Sequence, residues 1–132
     1  VLEGAGVLLD LHEGLHSVEI DSPPLHFRGE EAPACELLGG PTRDLNLMTQ
    51  RQAGCATMHR AAPGVDFHAR SALRALFCAN AARLQIDGHD ACAIAPYTLL
   101  WADGGAQGRW RLHSEVDPPR AWWMSFEPAA EA

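Results

Sequence analysis

Short apolar segments separated by turn residues recur along the whole chain. In the second half the clearest segments are residues 73–79, 82–86, 91–95 and 98–101. Asn80, Asp87-Gly88 and Pro96 separate them, and these residue types favour turns over strand interiors. Short strands at intervals of roughly eight to twelve residues are typical of an all-β barrel or sandwich. The pattern therefore predicts an all-β fold.

The first half has the same character with less regular spacing. Residues 1–11 (VLEGAGVLLDL) form an apolar segment, a glycine-containing turn and a second apolar run, which predicts a tight hairpin. Residues 17–20 alternate as a strand, Pro23-Pro24 ends it, and residues 25–27 resume an extended course. Residues 36–38 lead into a Gly-Gly-Pro turn, and residues 44–49 leave that turn as a strand.

Two segments allow more than one interpretation. Residues 50–70 contain Pro63-Gly64 and few clean alternations, so they predict a long excursion with one strand near residues 56–59. Residues 69–76 (ARSALRAL) are rich in alanine, leucine and arginine, so a short helix stays an alternative to a strand there.

A weak internal repeat indicates how the chain is organised. Residues 17–27 (SVEIDSPPLHF) align with residues 91–101 (ACAIAPYTLLW) as strand, proline break and second strand with an aromatic end. Two copies of one β-unit predict a two-lobed barrel. We expect one unit over residues 1–132, with a first lobe at residues 1–68 and a second at residues 69–132.

Composition and charge limit the kinds of partner that the chain can bind. A chain of 132 residues with 47% apolar residues fits one folded domain, and its longest apolar run, residues 93–102, is too short for a membrane span. The net charge is −7, and all ten basic residues are arginine. Nucleic acid is therefore an unfavourable partner. Any bound anion must be held by a local arginine that overcomes the acidic field of the chain.

The cysteine and histidine patterns predict neither a metal site nor a cofactor. Cys35, Cys55, Cys78 and Cys92 are widely spaced, which indicates four separate buried thiols. With no basic segment before the first apolar run, we expect a cytoplasmic protein. His12, His16 and Glu19 have a metal-like spacing, but Gly14 favours a surface turn there. The remaining histidines occur singly, and the serines lack a nucleophile-elbow context.

The stretch GGPTRDLNLM (residues 39–48) carries the candidate binding chemistry. It is not a phosphate-binding P-loop, because no Lys-Ser/Thr pair and no helix follow the glycines. On a strand, Asp44, Asn46 and Met48 would share one face. Arg43 would offer a planar fork to a carboxylate, with Asp44 orienting it and Asn46 both donating and accepting. The alternative is a solvent-facing polar strand.

Residues 37–51 (LLGGPTRDLNLMTQR) resemble the signature of the HutD/Ves family. Residues 1–11 and 23–37 also match the course of that family, and a looser match continues to the AWWMSF strand. The resemblance implies an RmlC-like cupin double-domain β-barrel, or bicupin. It also implies that the family's N-terminal segment, with its Trp-Lys-Asn-Gly-Gly-Gly stretch, lies outside this chain. Members are associated with histidine-utilisation genes, and the cupin metal set is missing here.

This resemblance implies a cytoplasmic, non-catalytic regulator of histidine utilisation that binds a small carboxylate such as formylglutamate or urocanate. The expected ligand-binding residues are Arg43, Asp44, Asn46, Met48 and His59, with no metal or cofactor. The four tryptophans are expected to pack in the core. A metal-dependent cupin isomerase or dioxygenase and an oligomerising scaffold stay open as alternatives, and so does assembly as a homodimer.

Overall fold

The computed structural model describes residues 1–68, 71–103 and 108–130. Within these residues the chain consists of antiparallel strands and two single-turn 3₁₀-helices, Gly29–Glu31 and Arg51–Ala53, which confirms the all-β prediction. The chain divides into two compact units, Val1–Asn46 and Leu47–Ala132. The expected lobes at residues 1–68 and 69–132 stay a prediction, and residue 69 lies outside the described residues.

The first unit contains one three-stranded antiparallel sheet. Its strands are β1 (Val7–Leu11), β2 (Gly14–Val18) and β3 (Ala34–Leu37), in the spatial order β2-β1-β3. The central strand β1 buries Val7 and Leu11 and exposes Asp10. Its apolar residues therefore anchor this small sheet.

The hairpin predicted within residues 1–11 does not form. Strand β1 instead forms a hairpin with the following strand β2, in which Leu11 pairs with Gly14. The backbone amides of Leu2 and Glu3 bond to the carbonyl of Arg43. The reason lies in the glycines, because Gly4 and Gly6 have φ values of +92° and +111°. A Cβ at Gly4 would lie 2.5 Å from the Pro41 carbonyl oxygen, so this bend requires glycine.

Two further strand predictions in the first half are wrong. Strand β2 ends at Val18, and a turn follows in which the Ser22 amide donates to the Glu19 carbonyl at 3.1 Å. Residues 25–27 consequently form no strand, since Pro23-Pro24 supply no backbone donors for a ladder. Residues 44–49 form no strand either, because backbone pairing with Glu3 stops at Arg43 as a single bridge.

The second unit contains two four-stranded antiparallel sheets. Their spatial orders are β4-β11-β6-β9 and β5-β10-β7-β8. The strands are β4 (Gly54–Arg60), β5 (Asp66–Phe67), β6 (Leu73–Cys78), β7 (Ala82–Ile86), β8 (Cys92–Ile94), β9 (Thr98–Asp103), β10 (Trp110–His113) and β11 (Ala121–Pro128).

Most strand predictions for this unit are confirmed. Strands β4, β6, β7, β8 and β9 lie where alternation placed them. The helix alternative for residues 69–76 is wrong from Leu73 onward, where β6 runs, and Ala69 and Arg70 lie outside the described residues. The second copy of the proposed repeat forms strand, Pro96 break and strand, but the first copy keeps only its first strand. The repeat is therefore only partly present in the structure.

The core of the second unit lies between its two sheets. Leu76 on β6 and Leu112 on β10 are completely buried, and each contributes about 1.5–3 kcal/mol of hydrophobic stabilisation. The Trp123 ring stacks on Phe67 with centroids 4.7 Å apart and planes 3° apart. Trp110 lies against the same indole at 6.3 Å. Aromatic packing therefore joins β11 to β5 and β10.

Three of the four tryptophans confirm the expected core role. Trp110, Trp122 and Trp123 are buried. The prediction is wrong for Trp101, which is 60% exposed. Its partner across the ladder is Ala75 on β6, so Trp101 lies on the sheet face opposite to Leu76 and Leu100.

Candidate functional site

Arg43 has a fixed backbone and an exposed side chain. Its carbonyl accepts bonds from the Leu2 and Glu3 amides at 2.7 and 3.2 Å, and its own amide donates to the Glu3 carbonyl at 3.0 Å. Its Nη1 donates to Glu3 Oε1 at 3.1 Å, and the two side chains are 60% and 49% exposed. The first unit therefore presents a guanidinium to solvent from an anchored position, with a carboxylate beside it.

The other four predicted binding residues are all exposed. Asp44 and Asn46 are exposed and lie outside any strand, so strand alternation does not give them a common face. Met48, in the second unit, is 88% exposed and also outside a strand. His59 is an exposed residue of β4, with its ring centroid 5.7 Å from that of Phe67. The side chain of Arg43 bonds directly to Glu3, which was not among the predicted binding residues. The two residues are forty positions apart, and no sequence pattern indicates that contact.

A row of polar residues crosses the second unit. Thr57 on β4 pairs with Ser125 on β11, and Ser125 pairs with Arg74 on β6. We call these three residues the polar row. They share the sheet face that Trp123 and Leu76 use in the core, because side chains of one face recur every second residue. The Thr57 and Ser125 hydroxyl oxygens are 2.6 Å apart.

Arg74 is the one charged residue among the buried side chains of the described chain, with 2% exposure. Its Nη1 donates to the Gly108 carbonyl, and its guanidinium carbon lies 4.6 Å from the centre of the Trp110 ring. Its Nε is buried and has no hydrogen-bond partner. Desolvation lowers the pKa of Arg74, and attraction to Asp87 opposes that shift. In β6, Arg74 stands in line with the core residues Leu76 and Cys78 at every second position, and that is the sequence signal that indicates this site.

A second charged group connects β5 to β10. Arg111 Nε donates to Asp66 Oδ1 at 2.6 Å, and Arg109 Nε and His68 Nε2 lie 3.7 and 3.8 Å from the other carboxylate oxygen. The hydrogen bond from Arg111 lowers the pKa of Asp66, with further attraction from both arginines and His68. The same bond raises the pKa of Arg111. This group pairs its charges internally and holds a two-residue strand in place.

The cysteines correct one prediction. All four are free thiols, as expected, but Cys35, Cys55 and Cys92 are exposed and only Cys78 is buried. Burial raises the pKa of Cys78 to about 11. The prediction of burial is wrong for the three exposed cysteines because they lie on edge strands, where side chains reach solvent. Cysteine as a residue type is otherwise found mostly in protein interiors.

The metal-like histidine spacing places its residues at a turn. His12 lies in the turn between β1 and β2, and His16 lies on β2. Within residues 1–68, 71–103 and 108–130, no three histidine, cysteine or acidic side chains converge as a metal site. Across these same ranges, no helix combines the length and the hydropathy that a bilayer span requires.

Comparisons with known proteins agree with the fold. The crystal structure of PA5104, a conserved protein of unknown function from Pseudomonas aeruginosa PAO1, superposes with a TM-score of 0.79. Its sequence is 21% identical, and the match covers 98% of this chain and 70% of that one. No curated protein matches the sequence. The antiparallel sheets are those of a cupin-like β-barrel fold.

The family assignment comes from the sequence itself. The HutD family model matches residues 1–119, which is most of the chain. That match includes the GGPTRDLNLM stretch and its arginine. The family name points to a role in histidine utilisation. The chain belongs to the HutD family.

Proposed function

We propose that this protein is a non-catalytic regulator of histidine utilisation that binds a small carboxylate, with formylglutamate or urocanate as ligand. The observation that carries the proposal is the exposed guanidinium of Arg43 on a backbone fixed by three hydrogen bonds. Membership of the HutD family supports the metabolic setting. Binding of the intermediate by the protein would limit induction of the pathway.

The chemistry of Arg43 suits a carboxylate ligand. A guanidinium is planar and always charged, and it can donate two parallel hydrogen bonds to one carboxylate. The pairing with Glu3 orients the arginine, and Asn46 is close in sequence and can both donate and accept. In a chain with a net charge of −7, such a local cation is what an anionic ligand requires. For all five residues, Arg43, Asp44, Asn46, Met48 and His59, the assignment stays a prediction.

Calorimetric titration of the purified protein with formylglutamate and with urocanate tests the proposal. Arg43→Ala should weaken binding by about 1.5–3 kcal/mol, the range for a hydrogen bond to a charged group. Arg28→Ala is the matched control, because it removes the same charge from another exposed position of the first unit. Absence of binding by both ligands, or equal losses in the two variants, would contradict the proposal.

The cellular setting and the main rival are tested separately. Four free cysteines support a reducing cytoplasm, where thiols persist. A metal-dependent cupin isomerase or dioxygenase is the rival, and elemental analysis of the protein as isolated distinguishes it. Stoichiometric metal that is retained through purification would favour the rival over a metal-free binding protein.

A further inference from the structure

We propose that the polar row of Thr57, Ser125 and Arg74 binds the carboxylate of a small organic acid, at a site independent of Arg43. The central observation is an arginine that is 2% exposed and carries its charge beside a packed core. Buried charges are ordinarily paired, because an isolated ion loses its hydration on burial. Arg74 has no carboxylate within ion-pair distance in the described part of the chain.

The hydrogen-bond inventory of Arg74 shows the deficit. A guanidinium has five N–H donors, and one bond joins Nη1 to the Gly108 carbonyl. The Nε donor is buried with no acceptor. The face of Trp110 supplies a cation–π contact at 4.6 Å, and Asp87 attracts the charge without accepting a hydrogen bond from it. An acceptor with negative charge would complete this environment.

The two hydroxyls provide a donor on the strands beside that of the arginine. Thr57 Oγ1 and Ser125 Oγ lie 2.6 Å apart, so one hydroxyl donates to the other and the second proton is left for another acceptor. Thr57 is exposed and Ser125 is half-buried, which makes this end of the row accessible to solvent. Ser125 is the direct cross-strand neighbour of Arg74. Opposed strand residues have Cβ atoms about 4.5–5.5 Å apart, so the two side chains start side by side on one sheet face.

The charge balance selects a monoanion. One guanidinium and one hydroxyl donor match a single carboxylate, whose two oxygens fit the arginine fork. A dianion such as phosphate would retain an uncompensated charge at a buried position in a chain of net charge −7. Formate is therefore the simplest probe of the site, because it presents a carboxylate and nothing else.

Nuclear magnetic resonance of the ¹⁵N-labelled full chain tests this directly. We expect sodium formate to produce saturable shifts of the Arg74 Nε–H and Trp110 indole signals. Sodium chloride at equal ionic strength should leave both signals unchanged. Absence of a saturable formate response at Arg74, or tighter binding of phosphate than of formate, would overturn the proposal.

Variants separate this site from the one at Arg43. Ser125→Ala should raise the formate Kd by about tenfold, since a hydrogen bond to a charged group is lost. Ser114→Ala is the matched control, because its hydroxyl bonds only within its own turn, to Val116. Ser125→Ala should leave the binding of formylglutamate or urocanate at Arg43 unchanged, because Ser125 belongs to the polar row only. An unchanged formate Kd in Ser125→Ala, or an equal loss of formylglutamate or urocanate binding in that variant, would refute the assignment even if the proposed function holds.

Discussion

Replacement of Arg74 by methionine should leave the free energy of unfolding nearly unchanged. The arginine gains about 1.5–3 kcal/mol from its bond to the Gly108 carbonyl and about 2 kcal/mol from the Trp110 ring. Against this, the unpaired Nε costs about 1–3 kcal/mol, and desolvation of the ion costs several more. Methionine keeps the apolar stem and removes both penalties.

We therefore expect Arg74→Met to change stability by less than about 1 kcal/mol while it abolishes the formate response. Urea unfolding followed by far-ultraviolet circular dichroism measures the change without relying on Trp110 fluorescence. Leu76→Ala, two residues away on the same strand face, should cost about 2.7–5 kcal/mol and so verifies the sensitivity of the assay. A loss of about 3–5 kcal/mol in Arg74→Met would show a structural ion partner and refute the reasoning.

Three other predictions concern stability and reactivity. Asp66→Asn should have a lower free energy of unfolding than the wild type at neutral pH. Because the folded pKa of Asp66 is lowered from 3.8, this difference in stability should disappear as the pH falls through that pKa. A difference that persists in acid would contradict the ion pair. Cys78 should resist a thiol reagent in the native protein while the other three cysteines react, because burial raises its pKa to about 11; four fast-reacting thiols would contradict this. Gly6→Ala should lose more than about 1 kcal/mol in thermal unfolding, since its added Cβ meets the Val18 carbonyl, whereas Gly14→Ala, with open space around it, should lose less.

The strands of the second unit could be predicted because local pattern and tertiary role agree there. In β9, residues 98–103 alternate between half-buried and exposed positions, as a strand with one packed face should. The same logic fails at residues 44–49, where alternating leucines suggest a strand but no strand among the described residues pairs with them. Strand formation needs a hydrogen-bonded neighbour, and a single chain segment does not encode one.

The contacts of the two arginines are harder to predict from the sequence than the strands, for a related reason. The GGPTRDLNLM motif indicates Arg43 as a candidate. Its partner Glu3 is brought to it by a bend that depends on Gly4 and Gly6, and the motif does not encode that bend. Residue types alone do not single out Arg74, because its segment also fits a short helix. Only the strand register places it beside Ser125 and over Trp110. The chemistry of both arginines therefore depends on backbone geometry that residue types leave open.

The two arginines should respond differently to salt, which gives a last test of both assignments. The Arg43 guanidinium is 60% exposed, so ions reach it, and at 0.15 M ionic strength charges are screened over about 8 Å. Arg74 is 2% exposed and packed on Trp110, where screening is much weaker.

Binding of formylglutamate or urocanate at Arg43 should therefore weaken clearly as sodium chloride increases, while the formate Kd measured at Arg74 should change little. Titrations at low and high salt in the Arg43→Ala and Arg74→Met backgrounds isolate each site. Equal salt dependence at the two sites would show that Arg74 is as open to solvent as Arg43, which contradicts a buried carboxylate site on the polar row.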